Sequence, residues 1–248
     1  MEIPQGYAVQ GECPKGSKLV CKLYKSLYGL KQASRRWNAK LTASLLQFGF
    51  TQSSTNHSLF TMKTPIGNFV ALLVYVDDML IGSTFINAAS EVKEFLNSKF
   101  KLKDLGDVKY FLGLEIIDIP KEISISQRKY TLDLLEEQGT LGAQPTSTPI
   151  DYNHKLQKAQ DGEELLKDPT CYRQFIDKLL YLTFSKPDIS YAVQTLSQFM
   201  DRPSQMHLMA AHRILKYLKN AVGQGILMKR ISNLKITAYS DSDWAGCP

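Results

Sequence analysis

Two adjacent carboxylates, Asp77 and Asp78, are the residues of this chain whose type and spacing most directly imply chemistry. They close an unbroken apolar run, Phe69 to Val76, rich in β-branched and aromatic residues, and are followed by Met79, Leu80 and Ile81. Such a run is a buried strand that reaches an acidic pair and turns back. Carboxylates beside so much apolar surface cost free energy unless something positive meets them: an Arg or Lys, backbone N–H groups, or a divalent cation. Residues 67–88 contain no Arg or Lys. A plain hairpin turn also accommodates Asp-Asp, because Asp tolerates turn dihedrals and bonds its own backbone. Such turns usually carry Gly or Asn beside the Asp, however, and Met79 fits that pattern poorly. The metal reading leads.

Neighbouring side chains in a strand point to opposite faces, so consecutive Asp residues share one metal only where the strand turns. At a hairpin tip Asp77 is expected to be the principal ligand and Asp78 the auxiliary one. Oxygen donors suit Mg²⁺, with Mn²⁺ a possible substitute, and Mg²⁺ takes one or two carboxylates together with waters and substrate phosphates. Nucleotidyl transfer fits this donor set, since it needs charge neutralisation by two ions roughly 3.5–4 Å apart more than it needs covalent catalysis. A third carboxylate from another strand is usually required to bridge both ions.

The elements that must position this pair follow from periodicity. Residues 1–18 carry Pro4, Gly6, Gly11, Pro14 and Gly16 and read as irregular chain. A short strand is expected over Leu19 to Tyr24, then a helix from about Ser34 to Gln47, with Trp37, Leu41, Leu45 and Phe48 on one face and Gly49 ending it. Leu59 to Met62 and Phe69 to Tyr75 form a hairpin, with Met79 to Gly82 as the return strand. Ile86 to Phe100 is a helix, Tyr110 to Ile116 and Ile123 to Ser126 are strands, and Gln127 to Gln138 is a helix. From Thr140 to Asp168 Pro, Ser, Thr and charges replace apolar periodicity, which marks a linker and a domain boundary. Three helical patterns follow (Tyr172 to Thr183, Ile189 to Met200, Met206 to Asn220), then two strand-like segments ending beside Asp241 and Asp243.

Composition narrows the class. The chain has 248 residues, 44% hydrophobic and 22% charged, ordinary for a globular protein and unlike a disordered one. A net charge of +6 is compatible with a polyanionic partner. Cys13, Cys21, Cys171 and Cys247 are widely spaced, which argues against a zinc site or a disulfide scaffold and for a reduced intracellular setting. No apolar run reaches the ~20 residues of a membrane helix, and the first residues lack the basic and apolar regions of a secretory leader. Neither membrane association nor secretion is expected. Lys25, Lys31, Arg35, Arg36 and Lys40 gather near one helix start, and Arg213, Lys216 and Lys219 near another. Each group either meets phosphates or forms a solvated helix face. Tyr24, Tyr28 and Trp37 could stack on bases, although Trp37 on the apolar face belongs more naturally to the core.

The tetrad Tyr75-Val76-Asp77-Asp78, with SLYGLKQASRRW upstream, resembles the catalytic centre of a copia-type retrotransposon reverse transcriptase. KYFLGLEI at Lys109 to Ile116 resembles the primer-grip region, and KLLYLTFSKPDISYAVQTLSQFM at Lys178 to Met200 with HRILKYLKN resembles the helical connection. AYSDSDWAGCP resembles the opening strand of an attached ribonuclease H domain. Five blocks in this order are a far more specific signal than a lone acidic tetrad. The resemblance implies an α+β right-hand polymerase fragment with an antiparallel palm sheet, a helical connection and the first strands of a ribonuclease H-like fold. The expected divisions are fingers and palm over 1–139, linker over 140–170, connection over 171–224 and ribonuclease H over 225–248.

By the same resemblance Asp77 and Asp78 are the catalytic metal ligands, while Gly29, Lys31 and Gln32 border the incoming nucleotide and template. Phe111, Leu112 and Gly113 steady the primer end, and Asp241 is a ribonuclease H remnant. Taken from the residues alone, Gly29 is equally a plain turn glycine, Lys31 a solvated charge and FLGL ordinary strand core. The implied reaction is Mg²⁺-dependent addition of deoxynucleoside triphosphates to a DNA or RNA primer on an RNA template, in a cytoplasmic particle or the nucleus. The family's first catalytic Asp lies upstream of the segment resembled by MEIPQGY, and Glu2 and Glu12 are poor substitutes. Met1 is accordingly expected to be an internal methionine of a fragmentary element, and the chain alone to polymerise negligibly. The alternative is a non-catalytic nucleic-acid-binding remnant. Asn56 and Asp177 stand where the family more often has Asp and Gly.

Overall fold

A computed structural model describes residues 6, 16, 18–24, 27, 29–30, 32–64, 67–151, 153, 156–158, 165–230 and 238–240. The chain divides into two compact units between Asp104 and Leu105. Among the described residues there are two four-stranded antiparallel sheets and six α-helices, a mixed α and β protein. No helix among them is long and apolar enough to cross a membrane.

In the first unit, strands β1 (Thr51–Gln52), β2 (Leu59–Lys63), β3 (Phe69–Tyr75) and β4 (Asp78–Ser83) pair in sequence order as a meander. The side-chain period of two splits the sheet into unlike faces. Phe60, Val70, Leu72 and Val74 are buried, with Met62, Met79 and Ile81 packed beside them. That face is covered by α1 (Ala33–Phe48), through Leu41 and Leu45, and by α2 (Ile86–Lys99), through Ala88, Val92 and Leu96. Truncating Leu41, Leu45 or Leu96 to Ala would cost ~2–5 kcal/mol. Helix α1 stops where expected: Gly49 takes φ +110 and Phe50 N–H donates to the Leu45 carbonyl at 3.0 Å, a glycine C-cap. The opposite face carries Leu59, Leu73, Leu80, Thr61, Ala71 and Gly82 in register across three strands, with Phe69 and Tyr75 on the same side. Among the described residues no helix of this unit packs on it, and Leu59, Leu73 and Leu80 there are half-buried.

In the second unit, β5 (Tyr110–Phe111), β6 (Leu114–Ile119), β7 (Glu122–Ser126) and β8 (Gly225–Lys229) form the other sheet. Between β7 and β8 the chain makes α3 (Arg128–Glu137), α4 (Pro169–Leu182), α5 (Ser190–Ser197) and α6 (Gln205–Leu218). Their core gathers Leu134, Tyr172, Ile176, Leu179, Val193, Leu196, Ile214 and Leu215 among others, and buried Tyr172 donates its hydroxyl to the Leu196 carbonyl at 2.8 Å. Asp168 caps α4 by accepting from Thr170 N–H at 2.8 Å, with Pro169 at the first helical position. At α6, Nδ1 of buried His207 accepts from Ser204 N–H at 2.9 Å and Nε2 lies 3.0 Å from the Gln157 carbonyl, so the ring is held as the Nε2–H tautomer. Lys186 is also buried and donates to the Ala221 and Gln224 carbonyls at 2.9 and 3.0 Å.

Several expectations are revised. Leu19–Tyr24 is irregular rather than a strand, because its apolar side chains, Val20 at 63% exposure among them, meet no neighbouring strand among the described residues. Tyr110 to Ile116 is not one strand but two, broken by a turn at Leu112–Gly113. The stretch 140–170 is not bare linker where it is described: Thr140 and Leu156 are buried, and Ile150 and Leu166 pack on the helical core. Strand β8, expected to open a further domain, is hydrogen-bonded to β7 from Glu122↔Lys229 to Ser126↔Gly225. A Cβ at Gly225 would overlap the Ile125 carbonyl oxygen, so only glycine lets β8 start there. The strand-like segment ending at Asp241 lies mostly outside the described residues.

Candidate functional site

The β3–β4 hairpin is tighter than the sequence implies. Tyr75 pairs with Asp78, so the two-residue turn is Val76–Asp77 and Asp78 is already strand. Val76 has φ +49 while Asp77 does not enter the positive region, the φ signs of a type II′ turn. Glycine normally fills the first position of that turn. A β-branched residue there is a true outlier, costing of order 1–3 kcal/mol that the surrounding sheet must offset.

This turn separates the two carboxylates without parting them. Val74 and Met79 face the core, so Tyr75 and Asp78 face the opposite side of the sheet, and Asp77 occupies the tip. Tyr75, Val76, Asp77 and Asp78 are all exposed. Among the described residues neither carboxylate has a hydrogen-bond or ion-pair partner, and no group of three or more His, Cys, Asp and Glu is placed to hold a metal ion. Two unpaired hard-oxygen donors on adjacent residues suit a Mg²⁺ or Mn²⁺ ion that draws its remaining ligands from water and phosphate.

The other expected positions fall in separate places. Gly29 takes φ +85 in a turn leading to α1, with Leu30 N–H on the Leu27 carbonyl and Ala33 N–H on the Leu30 carbonyl. Gln32 is the residue before α1 and makes no side-chain cap bond. Lys31 and Asp241 lie outside the described residues. Phe111 ends β5, and Leu112 and Gly113, with φ +50 and +74, form a two-residue turn with the φ signs of type I′. Asn56 sits in a turn, its Oδ1 accepting from Ser58 N–H at 3.0 Å, and Asp177 is exposed on α4, where a carboxylate costs little.

The two basic clusters have unlike fates. Arg35, Arg36 and Lys40 are exposed on α1, while Trp37 packs on the core as its helix face implied. Lys25 lies outside the described residues. In the second cluster Lys219 donates to the Ala143 carbonyl at 2.7 Å and Arg213 to the Thr148 hydroxyl at 3.0 Å, so these cations staple the 143–148 segment to α6. Sequence reasoning passed over Tyr181, Lys186 and His207. Each acts through a partner at least 35 positions away, except for His207's own cap, and no local pattern signals that.

Comparison with known proteins bears on the family of the chain. Residues 1–152 match the family model "Reverse transcriptase (RNA-dependent DNA polymerase)". The chain is 44% identical over 227 residues to the "Retrovirus-related Pol polyprotein from transposon RE1" of Arabidopsis thaliana, covering 92% of this chain and 15% of that protein. The corresponding polyprotein from transposon RE2 of the same plant is 42% identical, with the same coverage. That from transposon TNT 1-94 of Nicotiana tabacum is 32% identical over 99% of this chain and 19% of its own length. No solved structure matches the chain. The chain belongs to the reverse transcriptase family, of the kind encoded by copia-type retrotransposons. It spans about 15% of the length of the two Arabidopsis relatives.

Proposed function

We propose that this chain supplies part of the palm of an RNA-directed DNA polymerase, with Asp77 and Asp78 holding Mg²⁺ or Mn²⁺ beside the primer terminus. The observation that carries the reading is the asymmetry of the first sheet. Helices fill one face; among the described residues no helix of this unit packs on the other, which leads to two carboxylates without a described cationic partner. A bound divalent ion would neutralise charge on the reacting phosphates. The chain's own residues prepare for that. The strained Val76 turn fixes the tip on which Asp77 stands, Tyr75 and Asp78 border the sheet face opposite the helices, and Arg35, Arg36 and Lys40 offer exposed cations to phosphodiesters.

RNA template, DNA or RNA primer and deoxynucleoside triphosphates are the partners on this reading. Among the described residues no third carboxylate stands beside the pair. The helices α4–α6 correspond to the connection, and the segment around Asp241 to the start of a ribonuclease H fold.

The test is Mn²⁺ binding by electron paramagnetic resonance with a primer–template duplex present. Asp77→Asn is expected to weaken Mn²⁺ binding at least tenfold and to leave duplex affinity within about twofold, as expected for loss of one charged ligand. Unchanged Mn²⁺ affinity overturns the proposal and favours plain nucleic-acid binding.

A further inference from the structure

Tyr181 lies on α4, next to its last residue, and its hydroxyl donates to the carbonyl of Leu112, 69 positions away. Leu112 is the first residue of the β5–β6 turn and holds φ +50, a conformation that L side chains rarely adopt. Asn or Gly would take it at lower cost, so the turn's geometry depends here on a distant contact rather than on its own residues. The same ring packs on the second turn residue: a Cβ at Gly113 would stand 3.1 Å from the Tyr181 hydroxyl oxygen and 3.7 Å from Cε1. The ring is itself held from the side. Tyr130 meets it edge-on with centroids 5.1 Å apart, and Phe184 at 6.1 Å.

We infer that Tyr181 is a positioning residue: it holds the Leu112–Gly113 turn in its left-handed conformation and thereby fixes how the hairpin tip presents its backbone to a primer terminus. The functional half rests on the proposed polymerase reading and on the hairpin as the primer-holding element. Losing the hydroxyl leaves the Leu112 carbonyl to water and lets Leu112 return to negative φ, which redirects the tip. The helical core beneath is untouched, because Tyr181 is not among its fully buried side chains.

The experiment pairs hydrogen exchange over residues 109–116 with photo-crosslinking from a 4-thiothymidine at the primer 3′ end, using the full chain. In Tyr181→Phe, exchange at the hairpin is expected to rise about five- to tenfold, as loss of one partly buried hydrogen bond implies. Crosslinking to the hairpin should fall by a similar factor, with duplex Kd and thermal midpoint nearly unchanged. Adding Leu112→Asn, which favours the left-handed conformation locally, should restore both readouts. Unchanged hairpin exchange in Tyr181→Phe overturns the inference. A clear exchange effect with no wild-type crosslink to the hairpin instead overturns the primer-holding role and leaves Tyr181 a purely structural latch.

Discussion

Tyr75 and Asp78 stand opposite each other as the last paired residues of the β3–β4 hairpin, which leaves only Val76 and Asp77 to reverse the chain. The acidic pair is thus split between a turn position and a strand position. Had both been in the strand, their side chains would have pointed to opposite faces, one of them into the packed core.

The cost of that arrangement falls on Val76. Val76→Gly removes the steric conflict of a β-branched residue at φ +49 but adds backbone freedom to the unfolded chain. The net expectation is a stabilisation of about 1 kcal/mol in chemical denaturation. Because the turn becomes permissive, Mn²⁺ binding at Asp77 should weaken a few-fold at the same time. Stability and metal affinity moving in the same direction would refute the idea that strain presets the tip.

Exposed cations on α1 should report through salt. Arg35→Gln together with Arg36→Gln is expected to lower the slope of log affinity against log salt for a primer–template duplex by about one to two units, as loss of one or two phosphate contacts implies. Anisotropy titrations at several salt concentrations measure it, and an unchanged slope would make this a solvated helix face. Arg213 and Lys219 are poor choices for the same experiment, since both brace the 143–148 segment.

His212 gives the second unit an acid-sensitive contribution. Burial lowers its pKa from 6.5, and the nearby charge of Lys216 lowers it further, while its ring lies 5.3 Å from that of Phe175. The folded protein therefore prefers the neutral ring. Its contribution to stability is complete above pH 6.5 and is lost as pH falls from there through the lowered folded value. His212→Gln should flatten the stability profile over that interval, measured by urea denaturation at stepped pH. An identical profile in wild type and variant would contradict it.

Much of this architecture is legible locally. The helix over Ala33–Phe48 with its Gly49 stop, the strands at Leu59–Lys63 and Phe69–Tyr75 and the three later helices follow from apolar spacing and breakers, which act between near neighbours. The five motif blocks and the Asp77–Asp78 pair likewise need no coordinates to be seen. Failures cluster where local rules leave a choice: FLGL reads as strand core until a turn divides it, and 140–170 reads as linker although Leu156 and Ile150 find a core to join.

By itself the sequence determined the family, the neighbouring carboxylates and most element types, since each depends on residues close together along the chain. Only the tertiary structure decided that the turn falls on Val76 and Asp77, that Tyr181 holds the Leu112 turn, and that β8 returns to pair with β7. Those outcomes depend on which distant surfaces meet, and a contact closed across scores of residues leaves no periodic trace in the segments it joins.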